Sequence, residues 1–358
     1  MEKEEDRLRQ EYPWIQTPLV VGAPMRLIAL ADMAVEVSKA GGIGFVGAGT
    51  DVSTLRSHLQ HVQKLLHSST PLPVSDNTLP IGVGFINWGA GLADSLSIIK
   101  EYRPAAVWFF APSSPASLVA WADNTRQASP ATKIWVQVGS VTEAMDTVKQ
   151  VAPDVLVVQG TDAGGHGLAR GAGLISLLPE VCDAVAAHFQ PANNRERKPI
   201  LLAAGGITES RAATAAFILG ASGIVLGTRL LATPQAAISH GYRAEILRAT
   251  DGGQNTVRTT VYDTLRGTQW PASHNARGLI NQSFTDAVGG MSEEMNKKLY
   301  EEEMGKGDVG WGFQGRMTTY AGSGVGLVKE VKGAREVVGE LRDGVRKLLV
   351  GLGREERM

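Results

Sequence analysis

Eight short apolar runs follow one another along the chain, and they limit its possible folds more than any other feature. Each run is rich in Val, Ile and aromatic residues and is apolar almost without interruption, which is typical of a parallel strand buried on both faces. The runs cover 19–25, 42–49, 81–86, 106–111, 133–139, 154–160, 199–206 and 223–229. Stretches with helical spacing lie between them, at 27–40, 52–66, 93–102, 115–125, 141–151, 173–188 and 209–219. This alternation predicts an α/β fold, a (β/α)8 TIM barrel, although a doubly wound open sheet gives similar local patterns.

The alternation stops after the eighth strand. The stretch 233–308 is mostly helical and rich in loops, with a Met-, Glu- and Lys-rich helix at 291–304. It precedes an amphipathic stretch, 326–349, that would supply the last outer helix. Long segments between the elements of a compact domain often cover a binding site. We therefore expect a barrel built from 1–232 and 309–358, with a small, mostly helical lid inserted at 233–308.

Charge and cysteine content exclude several classes of protein. The 358 residues carry a net charge of −1, with acidic and basic residues scattered, so there is no basic stripe to bind nucleic acid or a membrane surface. Cys182 is the single cysteine, which rules out a disulfide framework. No group of His, Asp and Glu has the spacing of a metal site. The N-terminal stretch lacks the apolar core of a signal peptide, and no stretch is apolar enough to span a bilayer. We expect a soluble, cytoplasmic protein with no metal, nucleic-acid or membrane partner.

Two glycine turns follow the seventh and eighth strands. Ala204, Gly205 and Gly206 run directly into a predicted helix, and Gly227 and Thr228 follow the eighth strand. Backbone N–H groups in such turns bind anions, and the loops after strands seven and eight form the recurring phosphate site of this barrel. The two turns together predict a ligand with a phosphate group. The alternative is that the glycines serve only to make tight turns.

A glycine-rich loop after the sixth strand contains a single histidine. The loop has the sequence Gly-Thr-Asp-Ala-Gly-Gly-His-Gly over 160–167. Its glycines allow close approach to a flat ligand, and an imidazole with a pKa of about 6.5 suits proton transfer near neutral pH. Because the strand ends form the active-site face of a barrel, we interpret His166 as a proton-transfer residue rather than a turn histidine bonded to the backbone. Of the other histidines, only His240 and His274 could reach the site.

Six motifs extend over almost the whole chain: TPLVVGAPM, VSKAGGIGFVGAG, VQGTDAGGHG, PILLAAGGI, LGASGIVLGTRLLAT and YAGSGVGLVKEV. Together they resemble the nitronate monooxygenase family, formerly called 2-nitropropane dioxygenases, in the form typical of fungi. The resemblance implies noncovalently bound flavin mononucleotide (FMN) at the carboxyl ends of the strands, with His166 as the catalytic base. It also implies that Ala23, Pro24 and Met25 lie along the isoalloxazine, Asn87 and Gln137 at the ring edge, Gly160 and Gly165 beside the ribityl chain or the ring, and Ala204, Gly205, Gly206, Gly227 and Thr228 around the phosphate.

The activity implied by this resemblance is the oxidation of alkyl nitronates with O2 to a carbonyl compound and nitrite. Whether neutral nitroalkanes are also substrates is left open. Two positions depart from the family pattern: Asp162 stands where many relatives carry Glu, and Gln137 stands where a lysine is frequent. A lysine near the flavin would stabilise the anionic reduced ring, whereas glutamine carries no charge. We therefore expect these departures to bear on the tuning of the flavin.

Two other functions are open at this point. Flavin-dependent enoyl-thioester reductases share the glycine–histidine loop, so an NAD(P)H-using reductase is the alternative enzyme, and a flavin-binding barrel without catalysis is the alternative from another class. A nucleophilic mechanism through a loop cysteine is excluded, because Cys182 falls in a helix, where a structural thiol is expected. We expect a monomer or a homodimer. Expected pocket walls are Met25, Trp108 and Phe110, with Tyr242, Trp270, Trp311 and Tyr320 as candidates from the C-terminal third.

Overall fold

The computed structural model describes residues 2–68, 70–190, 197–312 and 314–355. The strands are β1 (Leu19–Gly22), β2 (Ile43–Gly49), β3 (Leu79–Ile86), β4 (Pro104–Phe110), β5 (Lys133–Val138), β6 (Val155–Gln159), β7 (Gly165–Leu168), β8 (Ile200–Ala204), β9 (Gly223–Leu226), β10 (Thr256–Thr259) and β11 (His274–Leu279). The helices are α1 (Glu2–Glu11), α2 (Ala31–Lys39), α3 (Leu55–His67), α4 (Leu92–Tyr102), α5 (Pro115–Ala128), α6 (Val141–Val151), α7 (Leu174–His188), α8 (Ser210–Ile218), α9 (Thr228–Leu231), α10 (His240–Arg248), α11 (Gly252–Asn255), α12 (Val261–Arg266), α13 (Gln282–Val288), α14 (Glu293–Met304) and α15 (Ala334–Glu355). Short 3₁₀ turns cover Gly307–Gly310 and Ser323–Leu327.

Parallel strands close into a barrel in the order β1-β2-β3-β4-β5-β6-β8-β9, and β9 pairs with β1 to complete the circle. Helices α2 to α8 connect successive barrel strands, and α15 packs against α8 and α2 to complete the outer ring. The eight apolar runs of the sequence correspond to the eight barrel strands. The predicted (β/α)8 barrel is therefore confirmed.

Alternate residues along the strands face two separate cores, because successive side chains of a strand point to opposite sides. Phe45, Trp108 and Trp135 fill the inside of the barrel, with the Phe45 ring centroid 5.3 Å from that of Trp108 and 5.0 Å from that of Trp135. A Cβ at Gly82 would lie only 2.1 Å from the Phe45 ring, so this glycine leaves room for the aromatic side chain. The strand neighbours of these rings pack beneath the outer helices: Val46, Val107, Phe109, Ile134 and Val136.

The N-terminal segment closes the bottom of the barrel, which the sequence patterns did not predict. Helix α1 leads into Tyr12 and Trp14, which are buried with the residues inside the barrel. The Trp135 Nε1–H donates to the Tyr12 hydroxyl at 2.8 Å, and the Trp14 Nε1–H donates to the Gly42 carbonyl at 2.8 Å. Both contacts lie near the starts of barrel strands. The carboxyl ends of the strands are consequently the end left for a ligand.

The predicted insert is mostly helical, with α10 to α14, and it also contributes two strands. These form a three-stranded antiparallel sheet in the order β10-β11-β7, and the third strand is the segment of the glycine-rich loop that carries His166. His166 pairs with Ala276 in this sheet. The sequence pattern predicted a loop here and did not predict a strand, because the pairing partner lies far along the chain and leaves no local signal at 165–168.

Predicted helix bounds agree with the structure to within a few residues, with two larger differences. Helix α2 begins at Ala31 rather than 27, since Leu27 has a left-handed backbone with φ of 64°. Helix α15 begins at Ala334, after the 3₁₀ turn Ser323–Leu327. Among the described residues, no helix is both long and apolar enough to cross a membrane.

Candidate active site

A cavity of about 750 Å³ lies at the carboxyl ends of the barrel strands and is covered by the insert. Its floor comes from the ends of β3 to β6 and from the turns after β1, β8 and β9, and its cover includes residues of α10, α12 and α14. This volume is within the usual range for cofactor and substrate sites. The position is the one at which barrel enzymes build their active sites.

Most of the predicted site residues line this cavity together. They are Ala23, Pro24, Met25, Gln137, Gly165, His166, Ala204, Gly205, Gly206, Gly227 and Thr228. Asn87 instead lies behind the wall, where its Oδ1 accepts a hydrogen bond from the Phe110 N–H at 2.8 Å. Gly160 also packs behind the wall, since a Cβ there would lie 2.6 Å from the Leu174 nitrogen. Both residues support strand ends that do face the cavity.

The turn after β8 has the backbone shape that favours glycine. Gly205 and Gly206 have φ of 106° and 73°, and a Cβ at Gly205 would lie 2.9 Å from the Gly160 carbonyl oxygen. Gly227, in the turn after β9, has open space where a Cβ would be, so a ligand can approach its backbone closely. The two turns line the same part of the cavity wall and offer backbone groups to an anion.

The helix after the first of these turns is less available to an anion than the sequence suggests. The Glu209 side chain caps α8 by accepting hydrogen bonds from the N–H groups of Arg211 and Ala212, at 3.1 and 3.0 Å. Its carboxylate therefore already occupies the positive end of the helix. What remains for a phosphate is the Gly205–Gly206 turn itself, with the nearby turn that contains Gly227 and Thr228.

A third segment, 320–324, joins these two turns and was not predicted to be part of the site. The Gly322 N–H donates to the Thr228 hydroxyl at 2.9 Å. Gly324 lies so close to the first turn that a Cβ would be 3.0 Å from the Gly206 carbonyl oxygen. The signal was present as the closely spaced glycines of the sequence YAGSGVG, but nothing local to that motif indicated which turns it would contact.

Asp162 connects the His166 loop to this third segment. Its backbone carbonyl accepts from the Ser323 N–H at 3.0 Å, and its Oδ1 accepts from the Ser323 hydroxyl at 2.9 Å. The side chain thus fixes the relative position of two segments that line the cavity. Asp162 therefore contributes to the assembly of the site.

Aromatic and apolar side chains form another part of the cavity wall. Pro24 packs on Gly84, where a Cβ would lie 2.2 Å from the proline ring. The Trp108 Nε1–H donates to the Gln137 Oε1 at 3.1 Å, so the amide nitrogen of Gln137 is the group left for a ligand. Further lining comes from Met25, Phe110, Tyr242, Trp270, Trp311 and Tyr320, which include all four aromatic candidates from the C-terminal third.

His166 lies between an aromatic ring and a carboxylate. Its imidazole stacks on the Trp270 ring, with centroids 3.7 Å apart and planes inclined by 10°. Its Nε2 is 2.8 Å from the Asp263 Oδ1, and this oxygen also accepts a hydrogen bond from the Tyr320 hydroxyl at 3.3 Å. Burial lowers the pKa of His166 below its usual value, and the Asp263 carboxylate opposes that shift. The imidazole is therefore neutral at pH 7 and can accept a proton.

The other candidate histidines are placed differently. His274 lies on β11 with its ring centroid 5.4 Å from that of Phe110, behind the cavity wall. Burial, with additional repulsion from His166 and Arg258, lowers the pKa of His274 to about 4. His240 is exposed at the start of α10. In the part of the chain that the structure describes, no group of three His, Cys, Asp or Glu side chains could hold a metal ion.

Several cavity residues carry a buried polar atom that lacks a partner. Within the described ranges, no hydrogen bond is formed by the Trp88 Nε1, the Thr208 Oγ1, the Asp263 Oδ2 or the Trp311 Nε1. An unsatisfied buried polar group destabilises a fold by about 1–3 kcal/mol. Their concentration around one cavity indicates a site shaped for a ligand with polar groups.

The sequence family agrees with this geometry. A family model described as nitronate monooxygenase matches residues 92–343, which is more than half of the chain. The chain belongs to the nitronate monooxygenase family. A nitronate monooxygenase of Metarhizium robertsii is 44% identical over 351 residues, covering 96% of this chain and 96% of that protein. A nitronate monooxygenase of Neurospora crassa is 37% identical over 356 residues, covering 94% of this chain and 91% of that protein.

Solved structures with the same fold are more distant in sequence. FabK from Thermotoga maritima superposes with a TM-score of 0.71 at 21% identity, covering 98% of each chain. A nitroalkane oxidase from Streptomyces ansochromogenes superposes with a TM-score of 0.69 at 22% identity, covering 96% of this chain and 99% of that one. At this level of identity the likeness concerns the fold alone. This member of the nitronate monooxygenase family is thus an oxidoreductase built on the TIM barrel.

Proposed function

We propose that the protein is an FMN-dependent nitronate monooxygenase, which oxidises alkyl nitronates with O2 to a carbonyl compound and nitrite. The observation that carries this proposal is the position of His166, whose neutral imidazole lies on the wall of the cavity. The same wall includes the glycine turns and several aromatic side chains. The curated fungal relatives carry the same family name.

The cavity fits FMN by the chemistry of its walls. The Gly205–Gly206 turn, Gly227 and Thr228 would hold the phosphate, and the unpartnered Thr208 hydroxyl beside them would donate to it. Pro24 and Met25 would lie along the flat ring, and the amide nitrogen of Gln137 would donate to the ring edge. Glutamine supplies a hydrogen bond there without the positive charge of a lysine.

The proposed reaction assigns a proton step to this chain. His166 would accept the proton from the carbon next to a nitro group, because its pKa is low enough to keep it neutral at pH 7. A substrate supplied as the nitronate would not need this step. Bound FMN would supply the redox chemistry that connects the nitronate to O2. Trp108, Phe110 and Trp270 would keep water away from the reacting carbon.

The charges near the cavity support an anionic substrate. Three cationic side chains, Arg26, Arg266 and Lys297, line it at exposed positions, against the acidic side chains of Asp263 and Glu301. An excess of positive charge at a cleft raises the local concentration of an anion and its rate of association. A nitronate carries a full negative charge and would benefit from this field.

Oxygen consumption tests the proposal. The purified protein, with its released cofactor identified by mass spectrometry, is mixed with propyl 2-nitronate while O2 uptake and nitrite are measured. We expect both signals, together with no rapid bleaching of the flavin by NADPH in the absence of O2. Rapid bleaching by NADPH, without O2 uptake on nitronate, would instead identify an enoyl-thioester reductase or a related enzyme. A cofactor other than FMN would contradict the assignment of the phosphate turns.

The cellular setting belongs to the same proposal. We propose a cytoplasmic location, supported by the single cysteine and the balanced charge of the chain. A small-molecule substrate and O2 are the partners that such an enzyme needs. Monomer and homodimer are both compatible with these features, and light scattering during gel filtration distinguishes them.

A further inference from the structure

Asp263 is buried, and its contacts lead toward the proposed base. The residue lies on α12 of the insert with 5% of its surface exposed, and its Oδ1 is 2.8 Å from His166 Nε2. The Tyr320 hydroxyl donates to the same oxygen at 3.3 Å, and Tyr320 follows the insert in the chain. Two segments that are distant from His166 in sequence therefore determine the surroundings of its Nε2.

The short contact fixes the protonation pattern of a neutral imidazole. A carboxylate can only accept hydrogen bonds, so the His166 nitrogen that faces it must carry the hydrogen. The proton is then on Nε2, and the lone pair is on Nδ1. Trp270 covers one face of the ring, which holds the imidazole plane but leaves the ring edge that carries Nδ1 uncovered by that contact.

We propose that Asp263 is a positioning residue that keeps His166 in the Nε2–H tautomer, so that Nδ1 accepts the α-proton of a neutral nitroalkane. This inference rests on the proposed function. In the step, the carbon–hydrogen bond breaks, its electron pair moves into the nitro group to form the nitronate, and the proton moves to Nδ1. The resulting imidazolium then donates Nε2–H to a fully charged carboxylate, which stabilises it.

Other features of Asp263 support this role. The Asp263 Oδ2 has no partner among the described residues, although it is buried, so the carboxylate is not held there by a complete structural network. A residue with a purely structural role would be expected to satisfy both oxygens. The sheet β10-β11-β7 holds His166 to the insert that carries Asp263, and the Arg258 Nη2 donates to the Gly167 carbonyl at 3.0 Å. The insert would thus position both members of the pair.

The charged and titratable groups around His166 come from every element near it. Besides Asp263, they are Arg266 on α12, Arg258 on β10, His274 on β11 and Tyr320 in the segment after the insert. Of these groups, only Asp263 raises the pKa of His166, while the two arginines lower it. Loss of the Asp263 charge must therefore lower the pKa of His166.

Nitrogen-15 NMR of the holoenzyme, labelled at histidine, tests the inference without relying on turnover. His166 is assigned from the signal that disappears in His166→Asn. We expect neutral His166 in the wild type to carry its hydrogen on Nε2, and its titration midpoint to fall by about one pH unit or more in Asp263→Asn. A wild-type hydrogen on Nδ1, or an unchanged midpoint in the variant, would overturn the proposal.

Kinetics provide the second readout. In Asp263→Asn we expect kcat/KM for 2-nitropropane to fall by about 100-fold or more, while kcat/KM for propyl 2-nitronate changes by less than about threefold. Equal losses on both substrates in a variant that keeps its flavin would indicate a structural role and overturn the proposal. The control is Asp251→Asn, an equivalent change at the cap of α11 in the same insert, which should leave both values unchanged.

The two proposals can fail separately. If the wild type consumes no O2 with either compound, the proposed function is wrong, and the NMR measurements still decide whether Asp263 controls the tautomer of His166. If the wild type uses both compounds and Asp263→Asn leaves their ratio unchanged, the function stands and the positioning role is wrong.

Discussion

The chemistry at the residue scale depends on His166, whose surroundings favour the neutral ring. We predict that His166→Asn lowers kcat/KM for neutral nitroalkanes by 100-fold or more, about the usual contribution of a general base, and leaves oxidation of preformed nitronates much less affected. The asparagine cannot accept a proton but is small enough to leave the flavin site intact. Steady-state kinetics on both substrates, with flavin content measured by absorbance, check this. Full nitroalkane turnover in the flavin-loaded variant would remove His166 from the mechanism.

His274 gives a second prediction at this scale, concerning stability. Its pKa is lowered to about 4 by burial and by the repulsion of His166 and Arg258, so the unfolded chain binds a proton more readily than the folded one below pH 6.5. Above pH 6.5 His274 is neutral in both states and does not weaken the fold. As the pH falls from 6.5 toward 4, protonation favours the unfolded chain, and the loss of folding stability reaches about 3 kcal/mol.

Denaturant unfolding at pH 7 and at pH 4.5 measures this loss. We expect His274→Phe, which keeps an aromatic ring beside Phe110, to lose distinctly less stability than the wild type between the two pH values. His61→Phe, at an exposed position of α3, serves as the control and should follow the wild type. Parallel behaviour of His274→Phe and the wild type would show that His274 titrates normally in the folded protein.

Cys182 illustrates how far a single residue could be interpreted from sequence. A structural thiol was expected from its place in a helix, and burial raises the pKa of this thiol to about 11. Its sulfur contacts the carbonyl oxygens of Leu219 and Gly220 at 3.8 and 3.7 Å. A thiol with such a high pKa is a poor nucleophile at neutral pH, in agreement with that expectation.

At the scale of elements, the turn after β8 carries a prediction about cofactor binding. Gly206 has φ of 73°, and a Cβ there would lie 3.2 Å from the Asp162 Cβ. Alanine in this backbone conformation is strained by about 1–2 kcal/mol, and relief of the strain would move the turn. We predict that Gly206→Ala binds FMN with a Kd at least tenfold higher than that of the wild type, measured by equilibrium dialysis. Gly333→Ala, where a Cβ meets only open space, should bind FMN normally; equal affinities for all three proteins would contradict a phosphate site at this turn.

The predictability of the elements follows from how local their causes are. Barrel strands are buried on both faces, so each leaves a continuous apolar run that identifies it without its neighbours. Strand β7 has only glycine, histidine and leucine, and it is a strand because β11 lies beside it. Helix α1 is highly charged, and the N-terminal segment docks at the barrel bottom through Leu8 of this helix and through Tyr12 and Trp14, which follow it. Pairing and docking across long stretches of chain were therefore not predictable from the local pattern.

The candidate site was likewise predictable only where the barrel itself positions its residues. Turns that follow barrel strands could be placed at one end of the molecule by the fold itself, and the structure brings Ala23, Gln137, His166 and Gly227 together at one cavity. Asp263 could not be found in this way, because it lies on a helix of the insert. Its approach to His166 depends on the register between β7 and β11. Tertiary contacts of the insert determine the surroundings of the base.

At the scale of the whole molecule, the proposed FMN site joins segments from three parts of the chain. The turn at 204–208 and the turn at 227–228 belong to the barrel, whereas 320–324 comes after the insert and reaches both through Gly322 and Gly324. A ligand that binds only the folded state stabilises it by about 2.7 kcal/mol at a concentration of 100 times its Kd. Bound FMN should therefore hold these three segments together, and its removal should loosen them most.

Hydrogen exchange measured by mass spectrometry, with and without FMN, tests this last prediction. We expect removal of FMN to increase exchange at least tenfold in peptides covering 204–208, 227–228 and 320–326, since exchange there requires only local opening. Peptides around Tyr12 and Trp14, at the closed bottom of the barrel, should change much less. A uniform increase along the chain would mean that FMN stabilises the fold without joining these segments. An unchanged 320–326 with faster exchange in both turns would show that the third segment does not contribute to FMN binding, and that its contacts with Thr228 and Gly206 serve only to attach the insert to the barrel.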